Sequence, residues 1–290
     1  MTNAKSLLLL DGLAMAYRGF YAIPDLTTKD GRHTNALMGF IRMMLQLKSA
    51  WKPTHWAAAF DGGRPEERMA ALETYKAQRA PMPDPLKEQI PYINEYLEAA
   101  GVPSFRLDRQ EADDVMATLA VRAAEEGASV YMATSDKDMY QIVSDRICVV
   151  SPAKEMVCMG PEEVVTKTGV RPDQMVDYQA LIGDAVDNIN GLPGVGPKTA
   201  AKWLKEYGTL DEILKHAAEI QPARFRGVLA QHEPTVRRNT GLMKLRTDLN
   251  VSLNWEDLAV REGDRSRLVS FFSKYELHSL SRMVQGELGL

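Results

Sequence analysis

Three short apolar runs in the first half of the chain each lead into an aspartate: SLLLL before Asp11, HWAAAF before Asp61, and SVYMAT before Ser135-Asp136. Short apolar runs bounded by turn residues read as buried strands. Between them lie longer stretches with helical spacing, over 35–50, 86–100 and 111–127. Strands that alternate with helices predict a largely parallel sheet, because each return in the same direction needs a crossover. Parallel strands finish along one edge, and that edge is where open sheets bind their ligands. The three aspartates are therefore expected side by side.

Further strands are expected at 104–107, 146–150 and 156–159, and helices near 66–79, 161–168 and 172–182, with a mostly helical remainder. The breaks at APMPDP (80–85) and at 183–197 read as hinges within a domain. At 45% hydrophobic and 26% charged, the composition is that of a soluble globular chain without a membrane span. The leucine run of MTNAKSLLLLDG meets Asp11 too soon for a signal peptide. Cys148 and Cys158 form no metal-type cluster, suit a reducing cytoplasm, and are expected to be buried or incidental.

Six more acids stand in comparable settings. Glu111, Asp113 and Asp114 open a helix, Asp138 follows Asp136 by two, and Asp184 and Asp187 lie three apart in GDAVDNINGLPGVGPKTA. Taken singly, each is explained by capping, worth a few tenths to about 1 kcal/mol. Taken together they are not: like charges ~4 Å apart repel by roughly 1 kcal/mol in water and ~4 kcal/mol at an effective dielectric near 20. A crowded set needs a hard divalent cation, and an all-oxygen donor set suits Mg²⁺ or Mn²⁺. That points to metal-dependent phosphoryl hydrolysis. The net charge of −4 hides a pattern, since residues 191–250 carry 10 Lys/Arg against 6 Asp/Glu. An acidic pocket beside a basic face is thus possible in an acidic protein.

LLLLDGLAMAYRGFYAIP, AAAFDGGRPEERMAALETYKAQRAPMP, EADDVMATLA, ATSDKDMYQIV and GDAVDNINGLPGVGPKTA follow one another in that order. Together they resemble the 5′-nuclease (flap endonuclease) family, which includes the 5′–3′ exonuclease domain of bacterial DNA polymerase I, over most of residues 5–285. The chain reads as a stand-alone member. The resemblance implies an α/β fold with a mostly parallel central sheet flanked by helices, a PIN-like core over 1–182 with a helical arch at 64–100. It also implies a helical DNA-binding region over 183–290, with a helix–hairpin–helix-like turn at 189–205, packed as one unit with the core. It assigns metal binding to Asp11, Asp61, Glu111, Asp113, Asp114, Asp136, Asp138, Asp184 and Asp187, with two or more Mg²⁺ and Mn²⁺ as substitute. Lys76 and Arg79, three apart on an arch helix, are expected to hold the scissile phosphate in catalysis, and Tyr75 to stack on a displaced base. Arg18, Gly194, Gly196, Lys198, Thr199 and Lys202 are the remaining DNA contacts, with K⁺ held by carbonyls of the 191–197 turn. Tyr17, Phe20 and Tyr21 are expected in the core.

The implied activity is two-metal hydrolysis of DNA at 5′ flaps and free 5′ ends, leaving a 5′-phosphate, by a cytoplasmic monomer working beside a DNA polymerase in replication and repair. The chain departs from the family at Glu67, where an aromatic residue usually precedes the arginine, at Asn190, where proline is common, and at Ala185-Val186. The acid set is untouched by these changes. Two other readings stay open at this point: a structure-selective DNA-binding protein without catalysis, and an RNA-cutting PIN-like domain. The complete acid set speaks against the first and the 191–205 segment against the second.

Overall fold

The computed structural model describes residues 4–152 and 156–286; residues 1–3, 153–155 and 287–290, including the outer ends of both expected regions, lie outside it. A six-stranded sheet forms the centre, in the order β3-β2-β1-β4-β5-β6. Its strands are β1 (Ser6–Asp11), β2 (His55–Ala59), β3 (Ser104–Phe105), β4 (Ser129–Ala133), β5 (Ile147–Val150) and β6 (Cys158–Met159). All neighbours run parallel except the β5–β6 pair, so the expected sheet is observed with one antiparallel edge.

The leucine run shows why the sheet lies in the middle. On β1, Leu7 and Leu9 face one core with α5 (Ala112–Glu125), whereas Leu8 and Leu10 face the other with α1 (Gly12–Ala22), α2 (Asn35–Trp51) and α4 (Asp84–Ala99). Side chains alternate across a strand, so a strand covered on both faces must be apolar throughout. All four leucines are at most 1% exposed. Helices α1 and α2 cross at Gly19 and Gly39, where a Cβ on Gly39 would stand 2.4 Å from the Gly19 Cα; no larger residue permits that approach. Tyr17 and Phe20 pack on this core, but Tyr21 is 72% exposed, contrary to its expected burial, because it lies at the free end of α1.

The helix expected over 66–79 is shorter: α3 spans Glu66–Ala71 only. Beyond it the chain turns, and Lys76 adopts φ +54°. Helical propensity loses here to distant contacts. Lys76 N–H donates to the Asp187 carbonyl at 3.0 Å, and Asn188 Nδ2 donates to the Thr74 carbonyl at 2.9 Å. The shared helical face expected for Lys76 and Arg79 is therefore corrected to a turn that aims both at one place.

The second half runs α6 (Pro161–Thr168), a 3₁₀ turn at Pro172–Gln174, α7 (Met175–Ile182), a hairpin of β7 (Gly183–Asp184) and β8 (Ile189–Asn190), α8 (Pro197–Tyr207), α9 (Leu210–Lys215), α10 (Phe225–Met243), α11 (Trp255–Leu258), α12 (Arg265–Lys274) and α13 (His278–Gln285). Gly183 has φ +77°, and a Cβ there would meet the Gly191 nitrogen at 2.3 Å, so glycine is what allows the hairpin to fold on itself. Cys148 is buried as expected, but the two cysteines are not incidental: Cys148 and Cys158 are joined in a disulfide between β5 and β6, with Cα atoms 5.7 Å apart. Register explains the pairing, since Cys158 lies opposite Val150 and reaches diagonally to Cys148 on the same face.

Candidate active site

Asp11 ends β1, Asp61 follows β2 by two residues, and Asp136 follows β4 by three. Each is fixed by an amide or hydroxyl. Asp11 accepts from Ala14 N–H at 2.9 Å and from Thr134 Oγ1 at 2.8 Å. Asp61 accepts from Ala112 N–H at 2.8 Å, which ties the start of α5 to the end of β2. Asp136 accepts from Asp138 N–H at 2.9 Å, and Asp184 from Val186 N–H at 2.8 Å. Capping and crowding are thus not alternatives: the caps orient carboxylates that also press on one another.

Among the described residues, the fully buried acids are Asp11, Glu111, Asp114, Asp184 and Asp187, every one of them from the set of nine, and Asp113, Asp136 and Asp138 are half-buried. Burial, and then the charges of Asp61 and Asp136, push Asp11 up to about 6 against the help of its two donors. Asp113 is raised well above the ordinary carboxylate range by burial, then by Asp136, Asp11 and Asp61. Burial raises Asp136, with Asp187 and Asp184 adding to it. Asp138 is pushed up to about 7 by burial and by Asp136, although Gln179 Nε2 donates to it. Mutual repulsion therefore links acids from β1, β2, α5, the turn after β4 and the β7–β8 hairpin.

Basic side chains hold the other members. Arg68 bridges Glu111 and Asp114, lying 2.6 and 2.9 Å from the two Asp114 oxygens, and also donates to the carbonyls of Leu242 and Lys244. Lys76 Nζ donates to Glu111 and stands 3.6 Å from Asp187 Oδ2, while Arg79 Nη2 reaches Asp187 Oδ1 at 2.6 Å. Lys137 Nζ lies 3.0 Å from Asp184 Oδ2. Burial would raise Glu111, but Lys76 and Arg68 outweigh it and hold the carboxyl below its ordinary range. Tyr75, expected to stack on a displaced base, is instead 6% exposed, packed with Ile189, Leu242 and Met243, with its hydroxyl on Glu111 and Asp187. Among the described residues, no three acids, histidines or cysteines stand close enough to chelate an ion as the side chains lie, and four of the acids, Glu111, Asp114, Asp184 and Asp187, are paired with bases. The donor set still suits a hard divalent cation: it is all oxygen, preoriented by caps, and self-repelling without added positive charge.

The remaining predicted contacts lie on α1, on the 191–197 turn and on α8. Arg18 is exposed on α1, one helical stretch from Asp11. The 191–197 turn leaves the acid hairpin directly, with Leu192 N–H donating to the Leu181 carbonyl at 2.8 Å. Gly194 has φ +74°, Gly196 caps α8, and Lys198 and Lys202 are exposed, with Thr199 partly so. Sequence reasoning missed Thr134, Gln179 and Lys137, and saw Arg68 only as the neighbour of Glu67. Lys137 had a visible signal, since it sits between two acids in SDKD.

Two family descriptions match the chain: the 5′-3′ exonuclease N-terminal resolvase-like domain over residues 6–169, and the 5′-3′ exonuclease C-terminal SAM fold over residues 170–266. The chain is 40% identical to a 5′-3′ exonuclease of Aquifex aeolicus, covering 97% of this chain and 95% of the relative. It is 37% identical to DNA polymerase I of Bacillus caldotenax, covering 95% of this chain and 32% of that protein. In fold it is similar to T5 5′-exonuclease with bound zinc (TM-score 0.71, 18% identity, 97% and 99% of the two chains). It is similar also to the catalytic core of Rad2 in complex with a DNA substrate (TM-score 0.67, 18% identity, 97% and 92%). No described helix is long and apolar enough to cross a membrane.

Proposed function

The chain belongs to the 5′-3′ exonuclease family, and from that premise we propose that it hydrolyses DNA phosphodiesters at 5′ flaps and free 5′ ends in replication and repair. The observation that carries the reading is the convergence of capped, mutually repelling carboxylates at the C-terminal edge of a parallel sheet. Asp11, Asp61, Glu111, Asp113, Asp114, Asp136, Asp138, Asp184 and Asp187 would hold two or more Mg²⁺, with Mn²⁺ as substitute. Bound there, divalent cations supply the charge that activates water for in-line attack and stabilises the departing oxygen.

This chain's own groups do the positioning. Lys76 and Arg79 reach from the arch turn to Glu111 and Asp187, and a scissile phosphate would take over those donors as its negative charge grows. The helix N-terminus at Pro197–Lys198, with Lys202 one turn on, would hold a duplex phosphate, since the macrodipole and the two exposed lysines favour an anion there. Because Gly191 abuts Ile182 and Gly183, that grip stands at a fixed distance from Asp184 and Asp187. Arg18 is read as a further phosphate contact and Gly194 and Gly196 as close-approach points. K⁺ in the 191–197 turn and a monomer acting beside a polymerase rest on the resemblance of the motifs. Residues 1–182 are read as the nuclease core and 183–290 as the duplex-holding region.

The test is cleavage of a labelled 5′-flap substrate in Mg²⁺ and in EDTA, with cut position and end group mapped. Metal-dependent release of a 5′-phosphorylated strand is expected. Binding without cutting, or cutting of RNA flaps in preference to DNA, refutes the reading.

A further inference from the structure

Beside α3, lined by Arg68 and Asp114, lies a half-open cleft of about 400 Å³. Three separate segments line it: α3 with Arg68, the turn before α5 with Arg109, and the end of α10 running into the following stretch with Arg237, Arg238, Lys244 and Arg246. Against these six cations stand three acids, Glu66, Glu67 and Asp114. Each acid already has a base: Glu66 with Arg109 at 3.0 Å, Glu67 with Arg246 at 3.5 Å, and Asp114 with Arg68. Arg237 is held by Asp211 and Glu233, both at 2.8 Å. Arg238 and Lys244 remain. Arg238 spends Nη2 on Asn239 Oδ1 at 3.1 Å, and its Nε–H is buried without an acceptor among the described residues. Lys244 is exposed and has no carboxylate partner among them. In a protein of net charge −4, a cleft lined three positive charges in excess is a local reversal of sign.

The cleft is joined to the acid centre through shared side chains. Arg68 and Asp114 line it, and Arg68 also binds Glu111, which in turn takes Lys76. Bases spread over three segments of one cleft suit an extended polyanion better than a compact one, because successive phosphates of a strand can meet different bases. We propose that this cleft holds backbone phosphates of the single strand beyond the cut site, with Arg238 and Lys244 as the principal donors. The proposal rests on the nuclease reading above and adds to it a subsite that responds to the length of the single strand.

The experiment compares two substrates with the same duplex, one bearing a one-nucleotide 5′ flap and one a flap of about ten nucleotides, with the wild type, Lys244→Glu and Arg238→Gln. Affinities are measured in EDTA, and cleavage in Mg²⁺. Both variants should lower the long-flap affinity threefold to tenfold relative to the short-flap affinity. The salt dependence of long-flap binding should become shallower by about 0.7 in log–log slope per contact removed. Urea midpoints equal to the wild type show that folding is intact; if Arg238→Gln unfolds, Lys244→Glu at an exposed site carries the test alone. An equal loss on both flaps, or none on either, overturns the proposal. Tight binding of inorganic phosphate that abolishes the variant effect assigns the cleft to a small anion and also overturns it. Failure of the wild type to cut either flap refutes the nuclease reading instead, so the two failures are distinguishable.

Discussion

Lys137 offers the sharpest test of the electrostatics. Its ammonium lies 3.0 Å from Asp184 Oδ2 with the side chain 47% exposed. Burial works against its charge, but Asp184, Asp138 and Asp136 hold its pKa above the ordinary value. The lysine thus acts as a resident counterion where a divalent cation is proposed to bind, and the two must compete. Metal–carboxylate contacts of ~2 Å put an ion on the same carboxylate within about 5 Å of the ammonium. A single charge against a double charge at ~5 Å costs about 1.7 kcal/mol in water and ~7 kcal/mol at an effective dielectric of 20. A half-exposed lysine can swing away, so the lower figure governs and about 1 kcal/mol survives, or roughly fivefold in Kd. Lys137→Met should therefore bind Mn²⁺ about fivefold more tightly than the wild type by calorimetric titration, whereas Asp184→Asn should bind it more weakly. If Lys137→Met folds with an unchanged urea midpoint and yet binds Mn²⁺ no better, the counterion argument is wrong.

Arg68→Ala leaves Glu111 and Asp114 without their shared partner at a site where the Arg68 side chain is only 11% exposed. Breaking a buried pair from one side costs about 3–5 kcal/mol, and a urea-derived loss below ~1 kcal/mol would contradict its role as the arch's anchor. In EDTA, stability should rise as the pH falls from 8 to 5. Asp11 at about 6 and Asp138 at about 7 take protons in the folded chain that the unfolded chain takes only near 3.8, so the native state is the more protonated one across that window. A denaturation midpoint that drops over the same range removes the case for mutual repulsion. Lys76→Ala should slow turnover more than it weakens flap binding; parallel losses would make Lys76 a simple phosphate anchor.

The sheet was legible because a strand buried on both faces leaves an unmistakable mark, as in the four leucines of β1. That Asp11, Asp61 and Asp136 would meet followed from strand direction. The arch turn was not legible, since Glu66 to Arg79 has every local reason to be helical and yields to Asp187 and Asn188, more than a hundred residues away. The β7–β8 hairpin hides because strands of two residues carry no periodicity. Lys137 was visible between two acids in SDKD, but its bond to Asp184 and the bridge that Arg68 makes are properties of the fold. The cysteine pair was unreadable because spacing says nothing about which residues share a face across an edge strand.

Asn239 is fully buried on α10, and its Nδ2 donates to the Ala180 carbonyl at 3.1 Å and to the Asn190 carbonyl at 2.8 Å. Gln141, just past Asp138, exchanges hydrogen bonds with Met243 and Leu245, and Arg68 hangs from Leu242 and Lys244. One short stretch late in the chain thereby braces three segments made long before it. During synthesis, the arch turn and the hairpin can bond to each other once residue 188 has emerged, but those braces arrive only when residues 239–245 do. A fragment that stops before residue 239 therefore lacks every one of these hydrogen bonds.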